Sequence, residues 1–206
     1  ARLLSITRSE IGRLETLATE FLTYARPREL ELEDVAMGAL LSRVRHVLDG
    51  ELRQRRVDLE LEDASGGALL RVDPAQILQL LLNLAQNSLA ALEGVDAPLM
   101  TLIAAVDGGQ PMLAVIDNGP GIAPEVRERM FELFYSNRKG GTGLGLAIVQ
   151  RIAQAHDAAI EVETELGSGT EIRVRFPRAR LAAPTGGRAG SRFLLGERSG
   201  VSGRST

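Results

Sequence analysis

Three groups of residues in this chain have types and spacings suited to chemistry. The first is the pair Asn83 and Asn87. Four residues apart in a helical stretch, they share one face. Around them stand Ile77, Leu78, Leu80, Leu81, Leu82, Leu84, Leu89 and Leu92, so the helix is expected to be buried on most sides. An unpaired buried polar group costs about 1–3 kcal/mol, so both carboxamides need partners, either nearby backbone or a ligand. An amide oxygen is also a suitable hard ligand for Mg2+. Gln86 either faces outward or joins the pair. The second group is Asp117-Asn118-Gly119-Pro120-Gly121-Ile122, directly after the apolar run 112–116. A carboxylate at a strand end, followed by glycines, lets a planar ligand approach the backbone. It can accept from an exocyclic amine such as that of adenine. An ordinary Asn-Gly turn is the plainer alternative. The third group, Gly140-Gly141-Thr142-Gly143-Leu144-Gly145-Leu146, opens a helical stretch. Glycines there leave backbone N–H groups for an anion, which the helix dipole favours. The run is not a Walker loop, because no Lys-Ser/Thr follows. Nor is it a dinucleotide fingerprint, because Ile148 holds the place of the third glycine.

Each group alone is weak evidence. In this order, with Phe131-Glu132-Leu133-Phe134 between the second and third, they resemble the histidine-kinase ATPase family. Asn83 and Asn87 resemble its N box, and Asp117, Gly119 and Gly121 its G1 box. Phe131 to Phe134 resemble its F box, and Gly141 to Leu146 its G2 box. Gly167-Ser168-Gly169-Thr170 is similar to the late Gly-x-Gly-Thr of that fold. The resemblance implies that ATP binds with Mg2+. Asn87 would ligate the metal with Asn83 in support. Asp117 would bond the adenine amine and Thr170 would help through water. Gly141, Thr142, Gly143, Leu144 and Gly145 would fold over the phosphates, Phe131 and Phe134 would border the site, and Arg138 or Lys139 would neutralise the terminal phosphate. Arg138 stands where the family often has Lys, and the two are not equivalent phosphate ligands. Asp157-Ala158-Ala159 replace the glycines that usually follow His156. Because Asp can adopt the left-handed conformation at some cost, a modified helix end is expected.

The elements that must position these groups follow from periodicity. Residues 1–26 carry Leu4, Ile11, Ala18 and Ala25 every seven residues, with Thr7, Leu14 and Phe21 between, a coiled-coil or bundle seam that Pro27 ends. This segment is similar to the second helix of the family's dimerisation stem. Residues 28–34 read as an acidic linker. A helix is expected from about Val35 to Arg56, and strands at 57–61 and 69–72. Asp73-Pro74 starts the Asn-bearing helix, with Gln76 placed as a capping-box partner. Strands at 100–106 and 112–116 form a hairpin. Helices follow at 124–133 and 144–156, then strands at 160–164 and 170–176. His156 is read as a structural residue, favoured by the dipole of its helix end, and His46 as a surface residue. Beyond Pro177, glycines interleaved with arginines point to a disordered tail.

The expected fold class is α/β: a two-layer sandwich of a mixed, mostly antiparallel sheet covered by helices, the Bergerat-type ATP-binding fold, preceded by an α-helical stem. The expected domains are a partial stem helix and linker (1–30), the ATP-binding catalytic domain (31–177) and the Gly/Arg-rich tail (178–206). Of 206 residues, 44% are hydrophobic and 25% charged, an ordinary globular balance. A net charge of −3 argues against a general nucleic-acid binder. With no cysteine and two histidines, thiolate and multi-histidine metal sites are excluded. The resemblance implies a protein-histidine kinase that passes the γ-phosphate of ATP to a stem histidine and on to a response-regulator aspartate. Its receiver domain and a second copy, joined through the stem helix, are the expected partners. No nucleic acid and no membrane contact are expected within this segment, and the location is expected to be cytoplasmic. The acceptor helix is expected to lie outside the chain, which should therefore bind ATP without phosphorylating itself. A related ATPase or anti-sigma-type serine kinase of the same fold, or a non-catalytic interaction domain, are the alternatives.

Overall fold

The computed structural model of the chain describes residues 29–137 and 141–182. The expected stem, most of the expected tail, and Arg138, Lys139 and Gly140 lie outside the described residues. The main sheet has five strands: β2 (Asp58–Ala64), β4 (Leu99–Asp107), β5 (Gln110–Asp117), β6 (Ala159–Glu165) and β7 (Gly169–Arg175). Their spatial order is β2-β4-β5-β7-β6. Only β2 and β4 run parallel; the other neighbours are antiparallel. Alternation along β2, β6 and β7 puts apolar residues on one face and charged ones on the other, whereas β4 and β5 also carry Ile103, Met112 and Ile116 on the second face. On the apolar face, Leu61, Leu102, Val115, Ile172 and Val162 form one cross-strand rung.

Three helices cover that face: α1 (Met37–Arg55), α2 (Pro74–Ala91) and α4 (Gly145–Ala155). The α2 helix is apolar on most sides because it touches the sheet, α1 and α4 together. Leu80, Leu81 and Leu84 of α2 and Leu40, Leu41 and Val44 of α1 are fully or almost fully buried. Each contributes about 1.5–3 kcal/mol of transfer free energy. Gln86 faces away from the Asn pair and donates to Glu51 on α1 at 2.8 Å. The short α3 (Pro124–Arg129) ends before the expected Leu133, and turns carry the chain on to Tyr135.

A second, three-stranded sheet was less legible. Glu33–Ala36, read from sequence as linker end and helix start, forms β1, and the helix begins at Met37. β1 pairs with β3 (Leu69–Val72), whose other edge takes β8 (Leu181–Ala182) after a 3-10 turn at Arg178–Arg180. Paired structure therefore reaches Ala182, five residues past the expected end of the domain at Pro177. Four- and two-residue strands are too short to show a period, and they exist only because β3 offers two free edges.

His156 joins this small sheet to the helices. Asp73 caps α2 as expected: its Oδ1 accepts from the N–H groups of Ala75 and Gln76, each at 3.0 Å. The capping box is not closed, however. Gln76 Nε2 donates to Asp73 Oδ2, while the Asp73 N–H donates to His156 Nε2 at 3.1 Å. His156 Nδ1 lies 2.8 Å from the Ile152 carbonyl, an acceptor, so Nδ1 carries the proton and the ring is neutral. The expected dipole role for His156 is thus corrected: the ring is wholly buried and hydrogen-bonded as an uncharged group. Asp157 takes the left-handed conformation (φ 56°), as anticipated, and its carboxylate pairs with Arg180 at 3.1 Å.

Burial holds the His156 pKa below its ordinary value, with Arg180 adding to the effect. The Ile152 carbonyl and the Asp73 and Asp157 carboxylates pull weakly the other way. The unfolded chain therefore binds the proton more readily than the folded one. This contribution to stability is complete above the usual imidazole range, about pH 6.5, and is lost as the pH falls below it. Urea unfolding should show stability declining from about pH 6.5 to 5, a decline that His156→Gln flattens. The variant should also lose about 1–3 kcal/mol at pH 7.5 from the disrupted buried pairing. An equal decline in both proteins would refute the assignment.

Candidate functional site

One rung of the main sheet breaks the apolar rule. Met100, Asp117, Thr170 and Thr164 lie side by side on β4, β5, β7 and β6, facing the helices. Three of the four are polar where the neighbouring rung is aliphatic throughout. Asp117 is only 7% exposed. Its Oδ2 accepts from Ser88 Oγ on α2 at 2.7 Å, and its Oδ1 from the Gly119 N–H at 3.0 Å. These bonds favour the ionised carboxylate and fix its plane. Sequence reading missed Ser88. Its one signal was a polar residue on the buried side of an apolar helix, directly after Asn87.

Asn118 separates the structural duty of the turn from the chemical one. Its Oδ1 accepts from the Leu99 N–H at 2.8 Å, and its Nδ2 donates to the Ala97 carbonyl at 3.0 Å. The side chain thereby closes the loop onto the start of β4, and the neighbouring carboxylate is left to face the helices. The loop after β5 also interlocks with the turn between β6 and β7. The Gly167 N–H donates to the Pro120 carbonyl at 2.9 Å. Gly121 (φ 73°) and Gly169 (φ 114°) both have left-handed backbone. A Cβ on Gly121 would lie 2.2 Å from the Glu165 carbonyl oxygen, and one on Gly169 would lie 2.1 Å from that of Asp117. Backbone meets backbone at both points, so no side chain fits. Thr164 completes the rung: its Oγ1 accepts from the Ile122 N–H at 2.9 Å and lies 3.0 Å from both the Gly169 carbonyl and Thr170 Oγ1.

The α2 helix links this rung to the glycine run. Asn83, Asn87 and Ala91, each four residues apart, form a stripe along it. At one end Asn83 Nδ2 donates to the Gly145 carbonyl in the first turn of α4 at 3.3 Å. At the other, Ala91 borders Gly119. Eight residues of helix separate the two ends by about 12 Å. The N-cap residue of α4 is Leu144, whose side chain makes no cap bond, and a helix start of this kind suits an anion. Thr142 Oγ1 accepts from the Leu144 N–H, and Leu144 itself is buried. Gly143 (φ 69°) abuts the backbone of Phe134, whose N–H donates to the Gly143 carbonyl at 3.0 Å. Phe131 packs on the core. Phe134 is 61% exposed and left-handed (φ 62°), so its backbone rather than its ring anchors the base of the 135–142 loop.

The structure thus brings together Asp117, Gly119, Gly121 and Thr170 at one end of the α2 stripe, and Asn83 and Gly145 at the other, with Asn87 between. A ligand with a donor-bearing base and a phosphate group suits these two ends. The Asn87 amide supplies a hard oxygen. Among the described residues no group of three or more His, Asp or Glu side chains could hold a metal ion.

The sequence profile of the histidine kinase-, DNA gyrase B- and HSP90-like ATPases matches residues 72–180. Sporulation kinase E of Bacillus subtilis is 26% identical over 84% of the chain and 23% of its own length. Sensor histidine kinase ZraS of Salmonella typhimurium is 27% identical over 85% of the chain and 37% of its own length. The chain thus spans well under half of either relative. Among solved structures, full-length ShkA in complex with AMPPNP superposes with a TM-score of 0.76 at 34% identity, covering 89% of the chain and 40% of ShkA. Histidine kinase ThkA, in complex with response regulator protein TrrA, shares the fold with a TM-score of 0.71 at 22% identity, covering 86% of the chain and 51% of ThkA.

The interlocked glycines give a direct test of the geometry. Gly169→Ala forces a Cβ onto the Asp117 carbonyl and should lower stability by about 1–3 kcal/mol or more. Ser168→Ala in the same turn should change stability by less than about 0.5 kcal/mol. Thermal unfolding of the two variants decides it, and equal melting temperatures would contradict the interlock.

Proposed function

This chain belongs to the histidine kinase-, DNA gyrase B- and HSP90-like ATPase family, and on that premise we propose that it is the ATP-binding catalytic part of a sensor histidine kinase. The observation that carries the reading is the buried Asp117 acceptor, bonded to Ser88 on α2, with the start of α4 bonded to Asn83 on the same helix. Asp117 accepts from the adenine amine, with Thr170 beside it. Gly119 and Gly121 let the base approach the backbone. Asn87 ligates Mg2+, and Asn83 holds the first turn of α4 against α2. Gly141, Thr142, Gly143 and Gly145 shape the loop over the phosphates, and Arg138 or Lys139 neutralises the terminal one.

Bound ATP supplies the γ-phosphoryl group; the chain's own part is positioning and charge stabilisation. The acceptor is a histidine of the dimerisation stem, and the final recipient is an aspartate of a response-regulator receiver domain. His156 is no acceptor, since both ring nitrogens are hydrogen-bonded in the core. Residues 1–30 serve as stem and linker and pair with a second copy. Among the described residues no helix is long and apolar enough to cross a membrane.

Asn87→Ala should weaken Mg-dependent binding of a fluorescent ATP analogue at least tenfold, about 1.4 kcal/mol, while leaving thermal unfolding near that of the parent. Unchanged affinity would remove Asn87 from the metal site. ATP should also displace the analogue far better than GTP, because guanine puts a carbonyl oxygen where adenine offers its amine to the buried acceptor. Equal competition would assign Asp117 another part. With γ-labelled ATP, neither His46 nor His156 should take up acid-labile phosphate; label on either would misplace the acceptor.

A further inference from the structure

Thr164 lies outside every motif discussed so far, yet it governs the hydrogens of the polar rung. Its hydroxyl has one hydrogen and two lone pairs. Three groups surround it: the Ile122 N–H at 2.9 Å, the Gly169 carbonyl at 3.0 Å and Thr170 Oγ1 at 3.0 Å. The Ile122 N–H can only donate and the Gly169 carbonyl can only accept. One assignment satisfies all three contacts. Thr164 donates to Gly169, accepts from Ile122 and accepts from Thr170. The single hydrogen of Thr170 is then committed to Thr164. Ser88 is placed likewise, with its hydrogen on Asp117 Oδ2 at 2.7 Å. Toward the helices the polar members of the rung beside the site therefore present acceptors, the Asp117 carboxylate and the lone pairs of Thr170, and Ser88 on α2 spends its hydrogen on Asp117.

We propose that Thr164 is a specificity-determining positioning residue, which fixes Thr170 as an acceptor and so selects a base edge bearing an exocyclic amine over one bearing a carbonyl. The inference rests on the nucleotide-binding reading given above. Adenine offers an amine with two N–H donors. Hypoxanthine, of the same shape, places a carbonyl oxygen there, opposite the lone pairs of Asp117 and Thr170, and carries its edge N–H on the neighbouring ring nitrogen instead. If the Thr164 hydroxyl is removed, the Thr170 hydrogen is released and can turn toward that carbonyl, directly or through one water.

The test is displacement of a fluorescent ATP analogue from the full chain by ATP and by ITP. The parent should prefer ATP clearly. Thr164→Val should reduce that preference by about tenfold, chiefly by tightening ITP, and Thr164→Ser, which restores the hydroxyl, should return it. A folded Thr164→Val protein with the parent's ATP-to-ITP ratio overturns the inference and leaves the nucleotide reading standing. A parent chain that binds neither nucleotide overturns the reading itself. Should Thr164→Val fail to fold, Thr170→Val decides: an acceptor-only Thr170 predicts weaker ATP with ITP equal or tighter, whereas a loss of ITP affinity as large as that of ATP shows that Thr170 was donating and ends the proposal.

Discussion

Asp117 holds a carboxylate at 7% exposure on a sheet face that is aliphatic apart from its own rung, and its neighbourhood is arranged to permit this. A buried charge without hydrogen bonds is strongly destabilising. Ser88 and the Gly119 N–H each give it one, and Asn118 braces the loop so that the carboxylate stays aimed inward. The backbone must come close for this to work. Gly169 and Gly121 lie where the two loops touch without room for a Cβ. The same bonds fix the plane of the carboxylate, so in the function proposed above stability and recognition draw on one set of bonds.

The second requirement is that this end of the site stay in register with the other. α2 acts as the spacer, reaching from Asp73, bonded to His156 at the end of α4, to Ala91 beside the loop after β5. The two helices are tied twice, by the Asp73–His156 bond and by Asn83 to the Gly145 carbonyl. Because Asp73 follows β3 directly, the chain's entry through β1 and its continuation through β8 both reach α2 through one strand. Glu31 adds a backbone bond to the same Asp73 carboxylate.

The opposite face of the sheet has a different character. Arg173 bonds Glu163 and Glu171, and Arg175 bonds Glu161 and Asp107. The Arg173 guanidinium is the main cause of a Glu163 pKa below the usual carboxylate value. Exposed pairs of this kind add little stability singly. Their value here is to make the face polar, so that alternation along β6 and β7 directs Thr164 and Thr170 toward the helices.

What the sequence alone determined was local or periodic. The Asp73 cap, the apolar α2, the alternating strands, the left-handed Asp157 and each of the three chemical motifs depend on residues within a few positions of one another, and the order of the motifs is read directly along the chain. Tertiary structure decided what depends on distant partners. Ser88 and Asp117 are 29 residues apart, Ile122 and Thr164 are 42 apart, and Asp73 and His156 are 83 apart. No spacing rule links such pairs, because strand order and register set which side chains meet. β1 and β8 were invisible for the same reason: strands this short carry no period of their own, and β3 alone gives them a place.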